Sequence, residues 1–267
     1  MTVRPLLRTI ALAALAALLF VTPTRVSLGK PERGHLAKEG APAGERVLER
    51  ARYIFGWNGL PAALAEFTLS RRVRDGRAIL HFEGTARTTD QVDFLWRMRD
   101  SVIARTDART LIPQRFELFR RENDSRLDTV IVHDEEESKL RVERLKRGTL
   151  RKSSFPARGL YDPVSAMLLL RRDGVSPGTT RTIRITEGKR VYELVVRGLG
   201  RERIRLDGKS VPTLKLSLHY RAIDGSSSSE DDGIRSTYLW VSDNPKHALL
   251  RMEAESPLGT FFGQRLG

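Results

Sequence analysis

Tyr53-Ile-Phe-Gly-Trp-Asn-Gly-Leu-Pro-Ala-Ala-Leu-Ala-Glu-Phe-Thr-Leu-Ser70 holds two apolar alternations joined by a reversal. Tyr53, Phe55 and Trp57 share one face of a strand, while Arg52, Ile54 and Gly56 share the other. Asn58-Gly59 supplies the positive φ angles of a tight turn. Ala63, Ala65, Phe67 and Leu69 then resume the alternation against Glu66, Thr68 and Ser70. The stretch predicts a β-hairpin.

The same grammar runs on through most of the chain. Asp75-Gly76 turns it into a strand over Ala78 to Thr88. Asp107-Ala-Arg109 separates Arg99 to Thr106 from Pro113 to Arg121, Asn123-Asp-Ser125 precedes Leu127 to His133, and Asp134 to Glu137 precedes Lys139 to Leu145. Further strands are expected at Thr182 to Thr186, Val191 to Leu199, Glu202 to Leu206, Thr213 to Arg221, Thr237 to Val241 and Leu249 to Glu255. One segment breaks the pattern. Asp162 can accept from free backbone N–H groups at a helix start, and Pro163 suits the first helical position because its missing donor has no partner there. Val164, Met167, Leu168 and Arg171 follow at helical spacing, so a short helix is expected over Asp162 to Arg172. About a dozen strands and one helix define a mainly β protein, a curled antiparallel sheet forming a half-barrel or open barrel with one short covering helix.

Ahead of this domain, Arg4 and Arg8 precede the uncharged run from Ile10 to Phe20, the positive and apolar regions of a secretory signal. At about 1.5 Å per residue the run falls short of the ~20 residues that span a bilayer. A cleaved signal at 1–25 is therefore favoured over an anchor, although Val21 to Arg25 lacks a clear small-x-small cleavage site and leaves an uncleaved tether open. Residues 26–46 read as a flexible leader, and 47–267 as one β domain. There is no cysteine, so the domain is held by burial without disulfides, and lipoprotein acylation is excluded. A periplasmic location is the simplest expectation.

The formal net charge is +14, of which Arg4, Arg8 and Arg25 supply three. A surface for anionic partners and an arginine-for-lysine compositional bias both explain it. Only nine residues are lysine, which favours the bias. Basic and acidic residues alternate, as in Arg120 to Arg126, without the aromatic interleaving of a nucleic-acid reader, so nucleic acid is not expected as a partner.

A search for chemistry finds no catalytic constellation. His35, His81, His133, His219 and His247 show no metal-ligand spacing, and the four acids at Asp134 to Glu137 suit a solvated turn. Gly198-Leu-Gly200 and Gly208-Lys-Ser210 are incomplete as nucleotide loops and read as turns. Ser165 lacks a base at any readable spacing, and Glu66, Glu83 and Glu117 fit the solvent face. No metal and no cofactor is expected. The remaining candidate is the apolar face built by Tyr53, Phe55, Trp57, Phe67, Leu69, Phe82, Tyr238 and Trp240, either a filled core or, with Val164, Met167 and Leu168 as a lid helix, a pocket for a lipid or a lipidated partner.

Tyr53-Ile-Phe-Gly-Trp-Asn-Gly-Leu-Pro-Ala62, Tyr161-Asp-Pro-Val-Ser-Ala-Met-Leu-Leu-Leu-Arg171, Val211-Pro-Thr-Leu-Lys-Leu216, Leu239-Trp-Val-Ser-Asp-Asn-Pro245, Arg251-Met-Glu253 and Ser256-Pro-Leu-Gly-Thr260 occur in the order seen in domain-of-unknown-function family 3108. The chain resembles that family over roughly Val47 to Phe262. The resemblance implies an exported bacterial protein with a curled, lipoprotein-carrier-like sheet, and it brings no established activity. Ala63 stands where the family usually has glycine, so the resemblance does not carry a tight bulge to that point. The serine-acid loop at 224–233 looks like an insertion, and Phe261 to Gly267 leaves a short final strand. The expected function is non-enzymatic: binding of a lipid or other apolar ligand in the curled sheet. The alternative is an envelope scaffold that binds an anionic polymer or a protein partner through its arginine-rich surface.

Overall fold

The computed structural model describes residues 45–224, 236–257 and 259–267. The signal, nearly all of the leader and most of the 224–233 loop lie outside the described residues. Among the described residues fifteen strands form one sheet, ordered β8-β7-β6-β5-β4-β3-β2-β1-β15-β14-β13-β12-β11-β10-β9. Apart from β8 and β9, strands adjacent in sequence pair with each other, and β1 (Arg46–Trp57) pairs with β15 (Gly259–Leu266), which joins the two arms of the meander. All pairings between strands are antiparallel except the two-residue contact of β9 (Leu160–Tyr161) with β10 (Thr180–Thr186). The edges are β8 (Thr149–Pro156) and β9, consecutive in the chain, so the sheet curls into a nearly closed barrel with its seam between them.

The turns are set by the residues that tolerate positive φ. Asn58-Gly59, Asp75-Gly76, Arg147-Gly148 and Asp207-Gly208 each place both residues there, the type I′ geometry whose twist matches the strands it joins. The expected hairpin is β1 with β2 (Leu60–Arg74), and its register shifts between Phe55 and Gly56, so a bulge with Ala62 as the extra residue is present even though Ala63 is not glycine. A Cβ on Gly56 would lie 2.2 Å from the Leu60 carbonyl oxygen, which leaves room for glycine alone.

The strand count exceeds the sequence expectation. β8 carries no usable alternation, the ending at β15 is a full eight-residue strand, and Val191–Leu206 is one strand, β11, bulged between Gly198 and Gly200 rather than two. A short helix, α1 (Asp90–Asp93), also joins β3 (Arg77–Thr88) to β4 (Arg99–Asp107).

The second helix, α2 (Pro163–Asp173), begins as its sequence dictates. Asp162 Oδ1 accepts from the amides of Val164 and Ser165 at 2.8 and 3.0 Å, and Gly174 at φ 66° ends it. All of Pro163 to Leu170 is buried, so the helix is surrounded rather than half-covered. Ser165 Oγ donates to Asp162 Oδ2 at 2.6 Å and accepts from Thr106 Oγ1 of β4 at 2.8 Å. At its other end Arg171 reaches Glu49 of β1 at 2.6 Å, and Arg172 reaches the Arg109 carbonyl at 3.1 Å. The helix therefore crosses the mouth of the barrel where β1 begins. Its Val164, Met167 and Leu168 join one continuous core with residues of both arms, such as Phe82 and Phe116 on one side and Val196 and Leu239 on the other.

Candidate functional site

Five of the eight apolar candidates are brought together inside the sheet. Tyr53, Phe55, Phe67, Leu69 and Phe82 belong to the main core, with ring centroids 5.9 Å apart for Tyr53 and Phe55 and 4.6 Å for Phe67 and Phe82. The Tyr53 hydroxyl, fully buried, donates to the Leu249 carbonyl at 2.7 Å. Trp57 is separate: it packs with Tyr220 against Ala254 and Phe261 in a small cluster of its own. Tyr238 and Trp240 are on the outer face. Their neighbours Leu239 and Val241 occupy the core, and strand alternation turns the two rings the other way. There Lys215 Nζ lies 4.8 Å from both ring centroids, and Trp240 Nε1 donates to Glu202. Four successive apolar residues, Tyr238 to Val241, hide which face is inside. The cross-strand partners Lys215 and Arg251 of Trp240 are the signal that could have revealed it.

At the mouth, beside α2, the packing gives way. An open cleft of about 1000 Å³ is lined by Leu48, Ala78 and Leu80, with Arg71, Arg77 and Arg109 around them. By contrast, the void between the end of α2 and the core residues Leu214 and Leu239 is about 10 Å³. Arg71 continues the inner face of β2 beyond Leu69, and Leu80 continues that of β3, so the cleft is the outward extension of the interior wall. Val47, Leu48, Val73 and Ile112 expose apolar surface at this end. Asp107 also lines it. Its carboxylate accepts from the Thr110 amide at 2.7 Å and the Arg109 amide at 3.0 Å, and these bonds, the Thr110 amide foremost, hold its pKa below the ordinary value. Neither Arg71 nor Arg109 makes a salt bridge among the described residues.

Next to the cleft, Glu49 and Arg171 form a buried ion pair, with side chains 4% and 11% exposed. Burial pushes the Glu49 pKa up, and the Arg171 guanidinium opposes that. Arg265, half-buried at the end of β15, has its pKa lowered by desolvation. Among the described residues Glu49 Oε1 and Arg171 Nη1 have no hydrogen-bond partner, so the pair is incompletely satisfied. His247 Nδ1 donates to the Arg171 carbonyl at 2.8 Å, and His81 Nε2 bonds Glu83 at 2.6 Å. Among the described residues no group of three His, Asp or Glu side chains is placed to hold a metal ion. The acids at Asp134 to Glu137 sit in the turn between β6 (Ser125–Asp134) and β7 (Lys139–Lys146), where Asp134 and Glu137 pair with Lys139 and Arg141 and Glu135 lies 3.4 Å from Arg77. No described helix is long and apolar enough to cross a membrane.

The fold has a counterpart among solved structures: a β-barrel-like protein of domain of unknown function DUF1849 from Brucella abortus. It superposes with a TM-score of 0.52 at 11% identity, covering 81% of this chain and 94% of that one. No curated protein matches the sequence. The sequence itself matches, over residues 52–264, the family described as "Protein of unknown function (DUF3108)", and the chain belongs to that family.

Proposed function

We propose that this is an exported, non-enzymatic binding protein of the periplasm, and that the ligand is an anionic amphiphile held in the cleft at the barrel mouth. The observation that carries the reading is the pairing of an apolar floor, Leu48, Ala78 and Leu80, with three arginines at the rim of a space of about 1000 Å³. Such a site takes an alkyl chain by area and an acidic headgroup by charge. The mouth is a better place for the ligand than the interior. Swinging α2 aside would expose Val164, Met167, Leu168, Leu169 and Leu170. At about 1.5–3 kcal/mol for each side chain, that costs on the order of 10 kcal/mol. The Arg4 and Arg8 signal pattern supports export.

The test is a titration with lysophosphatidylglycerol against lysophosphatidylcholine, followed by native mass spectrometry. The anionic lipid binds and the zwitterionic one binds at least tenfold more weakly. Arg71→Glu with Arg109→Glu abolishes that preference. Equal affinity for the two lipids, or binding indifferent to both substitutions, would overturn the assignment.

A further inference from the structure

The outer edge of the barrel at β8 differs from every other strand. It is eight residues long and pairs with β7 in eight consecutive register positions without a bulge, yet seven of its residues are exposed, Phe155 alone being partly covered. Its second edge has no strand beside it among the described residues. Which backbone groups face that edge follows from one bond. The Ala157 amide donates to the Ser138 carbonyl at 2.9 Å, so in the antiparallel register Phe155, Ser153, Arg151 and Thr149 direct their amides to β7. Leu150, Lys152 and Ser154 therefore point their N–H and C=O groups outward. Pro156 shares their parity, which is where a strand tolerates a residue without a donor.

The edge is also the most basic stretch of the described chain. Residues 139–158 contain eight Lys or Arg against one acid, Glu143, and three of the nine lysines of the sequence. Elsewhere many arginines are neutralised locally, as in Arg99–Asp93, Arg121–Asp128 and Arg221–Glu193. Lys139 and Arg141 pair with Glu137 and Asp134 of the preceding turn and Lys152 with Glu143 at 2.6 Å, but Arg147, Arg151 and Arg158 make no salt bridge among the described residues. Two such edges repel each other, which disfavours a second copy of this chain.

We propose that β8 is a docking edge for an extended acidic peptide of a partner protein, which adds a strand beside it. Main-chain bonds to Leu150, Lys152 and Ser154 supply the register, and Arg147 and Arg151 select acidic side chains. The site is separate from the mouth cleft and stands or falls independently of it.

The probe is a fluorescein-labelled nine-residue peptide alternating Glu and Val, with a Lys-for-Glu version as control, applied to the full-length protein. The acidic peptide binds and the basic one does not. Amide exchange at Leu150, Lys152 and Ser154 slows at least tenfold in the complex. Ser154→Pro removes one outward donor while leaving the β7 ladder intact, and Arg151→Glu with Lys152→Glu reverses the charge. Each weakens binding tenfold or more. Unchanged exchange at the three amides, measured on the parent protein and so independent of how the variants fold, overturns strand addition. So does loss of binding on charge reversal but not on Ser154→Pro, which assigns the edge to polyanion or anionic-vesicle attraction instead.

Discussion

Single residues divide into those whose role is local and those whose role depends on what folds over them. Asp162 is local: an acid before Pro163 at the start of an apolar run caps a helix wherever that helix ends up, and its two amide bonds were legible from spacing alone. Asp100 is the opposite case. Nothing around it in sequence marks it, but the inner face of β4 buries it, and desolvation pushes its pKa up to about 6, against the pull of the Arg121 amide and the Arg120 guanidinium. A carboxyl whose folded pKa lies above its unfolded value supports the fold while protonated. That support is complete below about pH 4 and is lost as pH rises through about 6. The shift corresponds to on the order of 2–3 kcal/mol. Asp100→Asn keeps the oxygen that accepts from the Arg121 amide and cannot ionise. Urea denaturation should find the variant more stable than the parent at pH 8 by about that amount, with the difference gone at pH 4.

At the scale of elements, α2 is held to the sheet by packing and by two charged contacts, Glu49 with Arg171, which is buried, and Asp173 with Arg181 of β10, which is more exposed. Glu49→Ala leaves Arg171 buried without its partner, and the expected loss is about 3–5 kcal/mol in urea denaturation. Replacing both residues by apolar ones, Glu49→Leu with Arg171→Met, should recover most of it. If the single and double variants lose the same amount, the contact is not what ties the helix down. Elements were legible in proportion to their one-sided burial. Strands β1 to β3 alternate over most of their length because one face packs and the other is largely wet, the exceptions being the buried Ser70, Ile79 and His81 on the outer side. β8 could not be read, since a strand exposed on both faces needs no alternation, and its Leu150 and Phe155 fall on opposite sides. β11 read as two strands because Gly198 and Gly200 imitate a turn. In the structure Gly198 instead admits the backbone of Ser176, whose carbonyl oxygen would lie 2.2 Å from an added Cβ.

At the scale of the molecule, the decisive event is the pairing of β1 with β15, between segments some 200 residues apart in the chain, such as Phe55 opposite Gly263. That junction rests on close approach. A Cβ at Gly263 would lie 2.3 Å from the Phe55 ring and 2.8 Å from Met252, so Gly263→Ala overpacks the inner wall where the two arms meet. A loss of about 1–3 kcal/mol is expected in thermal or urea denaturation, and an unchanged midpoint would show that the junction is looser than its geometry implies. The sequence by itself determined the strand class, the type I′ turns, the capped helix and the absence of thiol chemistry, because each depends on the periodicity, φ preference or identity of neighbouring residues. Only the tertiary structure decided that α2 fills the mouth, that Tyr238 and Trp240 face outward, and that the open space lies among Leu48, Arg71 and Arg109. Those outcomes depend on which distant strands close around which side chains, and local periodicity carries no information about closure.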